Sequence, residues 1–279
     1  MPHAKIITVA NLKGGVGKTT TSYALAAAVA NRHKNALVLD LDPGGGTYRS
    51  LAGNPVVGKK TIADVLFGKA AMVDAVVQSP MTAPGGGVIY TVPFDADLAG
   101  IGGIGANPLR EALRSVVQIM DYIILDTHPS HAFLLGPLEV ADKIVIPTKL
   151  GNNDINVSAQ TIFLIRGLSR GLAPLSGLLV GDVKRPMNDE IKLALSKLSQ
   201  LELLLKVPAM LDDGREYMDP VIMYYGKSWV SALNGGGHSL VNEEDYQLAE
   251  RVLRGVEEYQ APEANWLMFL RLLAGTARK

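Results

Sequence analysis

The stretch KGGVGKTT at residues 13–20 combines glycines, lysines and threonines in an order suited to binding a phosphate chain. It follows a short apolar run and precedes a stretch with helical periodicity, which is the context that a phosphate loop requires. Glycines let backbone N–H groups approach an anion closely, and the start of the next helix adds a positive partial charge. We therefore expect phosphates to be bound by Gly14, Gly15, Val16, Gly17, Lys18, Thr19 and Thr20.

Two side chains of this loop have predicted roles, and two positions depart from the general fingerprint. Lys18 is expected to contact the β and γ phosphates, and the Thr19 hydroxyl to bind Mg²⁺. The fingerprint G-x-x-x-x-G-K-[ST] would have glycine at position 12, where this chain has Leu12, and a second lysine, Lys13, follows. The loop is therefore a variant of the ordinary motif.

Carboxylates follow two of the apolar runs. LVLDLDP ends one run with Asp40 and Asp42, and DYIILD ends another with Asp126. The carboxyl ends of strands are where ligands bind in open α/β sheets, and alternate residues of a strand share a face. We predict that Thr19 and Asp126 bind magnesium, with Asp126 acting through water, and that Asp40 and Asp42 can both point toward the same metal and phosphate. An alternative for Asp40 is that its carboxylate caps the following turn.

The elements that must position these residues alternate along the chain. Short apolar runs without in-out alternation suit a parallel sheet covered on both faces, and helix-period stretches separate them. We predict an α/β fold of the P-loop NTPase type, a mostly parallel twisted sheet flanked by helices on both faces, as one domain over residues 1–279. The predicted strands are 6–10, 36–41, 88–92, 122–125, 143–146 and 178–180; the predicted helices are 19–30, 61–77, 108–120, 156–168 and 189–205, then a C-terminal helical segment, 243–279, with helices over 243–258 and 264–273.

The composition of the chain excludes several kinds of metal site and limits how the protein could bind nucleic acid or a membrane. Lysine plus arginine and aspartate plus glutamate both total 27, so any binding to nucleic acid requires a local basic patch. The chain has no cysteine, which excludes thiolate zinc sites and cysteine-ligated iron–sulfur clusters. No stretch approaches the roughly 20 apolar residues that cross a bilayer, and we expect a cytoplasmic protein.

Leu12 with Lys13 is the mark of the deviant phosphate loop, and here the sequence resembles the ParA/MinD family of ATPases. The resemblance implies ATP and Mg²⁺ as ligands and an ATP-dependent homodimer in which Lys13 reaches the partner's phosphates. It also implies that Asp40 joins Thr19 and Asp126 around the Mg²⁺ ion. It implies further that Asp42 orients the attacking water, so that Lys13, Lys18 and Asp42 are the catalytic residues. Two departures stand out: Gly44 replaces the family's usual glutamine, and His128 replaces a proline.

The segment VPFDADLAGIG resembles the P-x-x-x-D-L-A-G pattern of short ParA proteins without an N-terminal helix-turn-helix. That resemblance implies non-specific DNA binding by the ATP dimer, location on the nucleoid and a ParB-like or cargo adaptor that stimulates hydrolysis. Alternatives are a MinD-like membrane ATPase, which would use the apolar C-terminal segment, and a scaffold with weakened hydrolysis. Candidate DNA contacts are Lys184, Arg185, Arg215, Lys227, Arg251 and Arg254.

Overall fold

The fold is built around ten β-strands in the described part of the chain. They are seen in a computed structural model, which describes residues 3–52, 58–169, 175–183, 187–200, 204–224 and 243–259. Eight of them form one sheet in the order β10-β7-β6-β1-β5-β2-β4-β3, and the other two, β8 and β9, form an antiparallel hairpin. Every pairing in the large sheet is parallel except that of β3 with β4. The strands are β1 (Lys5–Val9), β2 (Ala36–Leu41), β3 (Val77–Gln78), β4 (Ile89–Thr91), β5 (Tyr122–Thr127), β6 (Lys143–Thr148), β7 (Leu175–Val183), β8 (Lys206–Met210), β9 (Glu216–Pro220) and β10 (Ile222–Tyr224).

The helices lie between these strands, as the alternating pattern predicts. In the described residues they are α1 (Lys18–Asn31), α2 (Gly46–Ala52), α3 (Ile62–Leu66), α4 (Met72–Ala75), α5 (Ala106–Leu113), α6 (His131–Val140), α7 (Asn152–Ser169), α8 (Asp189–Gln200) and α9 (Glu243–Glu258), with a 3₁₀ helix over Ala96–Ile101. The α/β class and the mostly parallel sheet are confirmed.

Both faces of the sheet are buried, and β2 shows how one strand serves two layers of core. Ala36 and Val38 belong to a cluster with α1 and α9, whereas Leu37 and Leu39 belong to a cluster with α3, α5 and the loops beside them. Successive side chains of a strand point to opposite faces, so a continuous apolar run satisfies both layers. This is why the strands could be predicted from unalternated apolar runs.

Most predicted boundaries agree with the structure, and three helices need correction. The predicted helix 61–77 is wrong in its middle: α3 ends at Leu66, Gly68 adopts φ 71°, and β3 begins at Val77. A left-handed glycine ends a helix because the next peptide turns away from the helical path. The predicted helix 108–120 ends at Leu113 in the structure and continues as turns.

The third correction is at 189–205. Helix α8 ends at Gln200, and Leu204 forms a parallel bridge with Leu178. The prediction of a helix over 243–258 is confirmed residue for residue by α9, whereas 264–273 lies outside the described residues. Helices α2 and α6 and the hairpin β8–β9 were not predicted.

Candidate functional site

The strand register brings the predicted residues to one edge of the sheet. Strand β1 lies between β5 and β6, and its last residue, Val9, pairs with Asp126. Asp126 also pairs with Asp40 of β2, so both carboxylates lie beside the start of the glycine-rich loop. Parallel strands place their carboxyl ends together, which is why motifs far apart in the chain meet here.

The glycine-rich loop has the backbone geometry of an anion cradle. Gly15 and Gly17 adopt φ values of 71° and 99°, and α1 begins at the next residue, Lys18. An added Cβ at Gly14, Gly15 or Gly17 would meet no atom of the described residues within 4 Å, so the space over the loop is open. Backbone N–H groups at a helix N-terminus facing open space form a site for phosphate oxygens.

Lys18 lies inside the loop. It is 8% exposed, and its Nζ donates a hydrogen bond to the Lys13 carbonyl oxygen at 3.1 Å. Burial lowers the pKa of Lys18, while the charges of Asp126 and Asp42 act in the opposite direction. An ammonium group in this position can exchange its carbonyl partner for a phosphate oxygen.

Asp126 is a buried acid of the site, with 2% of its surface exposed. Its Oδ2 accepts hydrogen bonds from Thr19 Oγ1 at 3.0 Å and from Thr47 Oγ1, whereas its buried Oδ1 has no hydrogen-bond partner within the described residues. Burial raises the pKa of Asp126. A carboxylate oxygen left without a donor, beside a threonine hydroxyl, fits a hard cation such as Mg²⁺.

Thr47 was not predicted as a site residue. It is the threonine that ends the segment DLDPGGGT, and it lies 79 positions from Asp126 in the chain. The fold brings it to the carboxylate because α2 begins at Gly46, directly after β2 and its turn. The sequence signal that could have identified Thr47 is a threonine hydroxyl directly after the glycine turn that follows Asp42.

Asp40 has a bracing role in the structure. Its Oδ1 accepts the backbone N–H of Asp42 at 3.1 Å, and its Oδ2 accepts that of Tyr48 at 2.9 Å. Burial, and then the charge of Asp126, raise the pKa of Asp40 to about 7. The alternative that Asp40 caps the following turn agrees with these bonds, and its contribution to a magnesium shell stays a prediction.

Asp42 begins the turn between β2 and α2. Its side chain is partly exposed, and Oδ1 accepts the backbone N–H of Gly44 at 2.8 Å. Gly45 adopts φ 62°, and an added Cβ would lie 2.5 Å from Cγ of Phe94. The turn therefore needs glycine at 45, and it holds the Asp42 carboxylate on the side of the loop.

Lys13 leaves the loop in another direction from Lys18. Its Nζ forms an ion pair with Asp154 Oδ1 of α7 at 2.8 Å, and its side chain is 28% exposed. The same loop thus has one lysine directed inward and one at its outer rim. The role of Lys13 toward a second subunit stays a prediction.

The remaining predicted residues lie outside this geometry. His128 Nδ1 is 3.2 Å from Ser130 Oγ, and its ring packs against Phe133. Arg215, Arg251 and Arg254 each form an ion pair, with Asp213, Asp219 and Glu258 respectively. Lys184, Arg185 and Lys227 lie outside the described residues. Among the helices described, none is long and apolar enough to cross a membrane.

The parallel sheet, the cradle after its central strand and the threonine–aspartate pair beside it define a P-loop nucleotide-binding protein. Residues 4–168 match the family model described as AAA domain. The chain belongs to that family, in the ParA/MinD group, and is an ATP hydrolase.

Similar proteins agree with this assignment. The chain is 28% identical over 240 residues to the chromosome partitioning protein ParA of Myxococcus xanthus, covering 80% of this chain and 83% of that protein. It is 34% identical over 176 residues to the sporulation initiation inhibitor protein Soj of Bacillus subtilis, covering 60% of this chain and 67% of that protein. A Cyanothece McdA variant in complex with ATP has the same fold, with a TM-score of 0.71 and 21% identity over 92% of this chain and 96% of that one.

Proposed function

We propose that this protein is an ATP-driven dimerisation switch for partition or cargo positioning. The observation that carries the proposal is the divergence of two lysines in one loop. Lys18 is buried against the loop interior, whereas Lys13 is partly exposed at the rim and paired with Asp154. A cation at the rim can contact a triphosphate held by a second subunit and stabilise charge there, as an arginine finger does.

Each residue of the site has a distinct role in this proposal. The loop from Gly14 to Thr20 binds the phosphates, Lys18 neutralises charge between the β and γ groups, and Asp42 orients the attacking water. Thr19 and Asp126 hold Mg²⁺, with Asp40 bracing the shell through the turn that it caps. When bound there, magnesium would supply positive charge that stabilises the negative charge of the phosphate groups.

The wider role rests on relatives. The names of the Myxococcus and Bacillus proteins concern chromosome partitioning and sporulation initiation, and partition by an ATP-driven switch is the role we propose for this chain. The ATP dimer binds DNA without sequence preference, and an adaptor protein stimulates hydrolysis. Dimerisation makes DNA binding a property of the ATP state because two weak basic surfaces then act together.

The test compares Lys13→Ala with the wild type in three measurements: affinity for a fluorescent ATP analogue, mass in solution with a non-hydrolysable analogue, and turnover. We expect Lys13→Ala to keep nucleotide affinity within about threefold, because the cradle is intact, but to lose the dimer and about 10³-fold in turnover. Lys60→Ala is the control and removes an exposed lysine that lies just before helix α3. Its nucleotide affinity, dimer formation and turnover should match those of the wild type. A Lys13→Ala protein that still dimerised with ATP would exclude the proposal.

A further inference from the structure

Helix α7 presents a polar face to the phosphate loop. Asp154, Ser158 and Thr161 follow one another at intervals of four and three residues, so they lie on one face of the helix. All three contact the loop region: Asp154 pairs with Lys13, Ser158 with Asn11, and Thr161 with Leu12. The first half of the loop is therefore bonded to α7.

Asn11 is the centre of these contacts. It is fully buried, and its Nδ2 donates to the Pro147 carbonyl oxygen at 2.9 Å and to Ser158 Oγ at 2.8 Å. Its Oδ1 accepts the backbone N–H of Lys13 at 2.9 Å. An amide donates only through nitrogen and accepts only through oxygen, so these three bonds determine how the side chain is oriented.

Leu12 explains why the loop departs from the glycine fingerprint. Its backbone N–H donates to Thr161 Oγ1 at 3.1 Å, and its side chain packs against the core cluster that contains Ala159 and Ile162. The N–H groups of Leu12 and Lys13 are thus both bonded to side chains, and the cradle for phosphate begins at Gly14. A glycine at position 12 would remove the apolar anchor.

The peptide groups on both sides of Lys13 are held. Its N–H donates to Asn11, and its carbonyl oxygen accepts from Lys18 Nζ at 3.1 Å. With both ends of the residue bonded, the Cα–Cβ bond has one direction, toward the rim and Asp154. The direction of this side chain is therefore set by the fold before any nucleotide or second subunit arrives.

We propose that Asn11 is a positioning residue, which acts through Lys13 by directing that side chain out of the loop toward a second subunit. The proposal rests on the trans role of Lys13 given under the proposed function. Both N–H donors of the Asn11 amide are used by Pro147 and Ser158, so Asn11 has no donor left for a phosphate oxygen. Its oxygen accepts from Lys13 and from Thr161.

The experiment is a double-mutant cycle of Asn11→Ala and Lys13→Ala, with nucleotide affinity, dimer formation and turnover measured for all four proteins. We expect Asn11→Ala to lower dimer formation and turnover about tenfold while nucleotide affinity changes less than about threefold, since one buried backbone N–H loses its acceptor. In the Lys13→Ala background, Asn11→Ala should not lower the residual turnover, measured at high protein concentration, any further.

Two further variants distinguish a loss of Lys13 positioning from a loss of folding stability. Ser158→Ala removes one anchor of the Asn11 amide and should shift the same two measurements in the same direction by a smaller factor. Thr91→Val removes a buried hydrogen bond to the Val38 carbonyl oxygen in β2, away from the loop, and should lower thermal stability without changing turnover.

The outcomes separate the two ideas. The positioning role would be overturned if Asn11→Ala lowered nucleotide affinity and turnover equally. It would also be overturned if Asn11→Ala lowered turnover by the same factor in the Lys13→Ala background as in the wild type. Either result would leave the dimer switch intact. A Lys13→Ala protein with wild-type dimerisation and turnover would overturn the proposed function, and the positioning role with it.

Discussion

At the scale of single residues, the site contains charges that the folded protein must hold without full compensation. Asp126 is buried, and one of its carboxylate oxygens has no hydrogen-bond partner among the residues that the structure describes. Asp40 lies beside it in the register of strands β2 and β5. Burial raises the pKa of both carboxyl groups. Proteins commonly accept such local instability where a ligand supplies the missing charge.

Asp126→Asn tests this reading of the site. We expect the variant without nucleotide to be more stable by about 1–2 kcal/mol, because a neutral amide replaces a buried charge. The increase in melting temperature that magnesium adds to ATP should disappear, because the cation loses its carboxylate. Thermal unfolding with ATP, measured with and without Mg²⁺, follows both effects.

The control for this variant is Asp121→Asn, just before the other end of β5, where the carboxylate accepts the backbone N–H of Asn35 at 2.8 Å. That protein should keep the full magnesium increment. An Asp126→Asn protein whose melting temperature still rose with Mg²⁺ would show that the cation is held elsewhere.

At the scale of elements, α9 is attached at the amino ends of the central strands, whereas the site lies at their carboxyl ends. Glu257 accepts hydrogen bonds from Tyr122 Oη and Lys5 Nζ, and it pairs with Arg32 of the segment after α1. Arg32 also pairs with Glu250, which lies about two helical turns before Glu257 on the same face of α9. Helix α9 therefore covers α1 and is held by charge at the starts of β1 and β5.

Glu257→Gln is the prediction at this scale. Burial raises the pKa of Glu257, but the hydrogen bonds from Tyr122 and Arg32 and the charges of Arg32 and Lys5 lower it more, so the pKa lies below the ordinary glutamate value of 4.5. A depressed carboxyl pKa contributes stability that is present above the unfolded pKa and is lost as pH falls through the folded one. We expect Glu257→Gln to cost about 1–2 kcal/mol at pH 7, since three polar partners lose a charge-assisted acceptor.

Denaturant unfolding across a pH series measures this effect. The difference between wild type and Glu257→Gln should be constant near neutral pH and shrink as pH falls below 4.5. Glu139→Gln, which changes an exposed acid at the end of α6, serves as the control and should show a small difference throughout. A Glu257→Gln difference that grew in acid would contradict the assigned pKa direction.

At the scale of the whole molecule, charge is balanced. Positive and negative side chains both total 27, and the described candidate arginines Arg215, Arg251 and Arg254 are paired with acids. One subunit therefore has little field to attract DNA, and we expect binding to require two subunits. The extent of one domain over residues 1–279 stays a prediction.

DNA binding gives the prediction at this scale. With a non-hydrolysable ATP analogue the protein should bind duplexes of unrelated sequence, and affinity should fall at least about tenfold between 50 and 200 mM salt because counterions are released. Without nucleotide, and for Lys13→Ala with nucleotide, binding should be lost. Fluorescence anisotropy with two duplexes of different sequence measures all of these cases.

The same purified protein can be used to test the alternative that the chain is a membrane-cycling ATPase. Flotation with anionic vesicles compares the full chain with a protein lacking residues 265–279, a segment outside the described residues. Vesicle binding that depends on those residues and on ATP, with no DNA binding, would favour a membrane-cycling ATPase over the DNA-binding switch.

Features that depend on neighbours in the chain could be predicted from the sequence. The loop at 13–20, the strand 36–41 and the helix 243–258 follow from apolar periodicity and glycine placement, which are local properties. The error at 61–77 is also local in origin: the helical period continues past Gly68, but that glycine's left-handed conformation ends α3.

The contacts that complete the site required the fold. Thr47 meets Asp126 across 79 positions, and Asn11 meets Ser158 across 147. Neither pairing has a local signature, because it depends on which strands become neighbours and on which helix covers the loop. Sheet order and the packing of α7 decide those distances, and through them the different directions of Lys13 and Lys18.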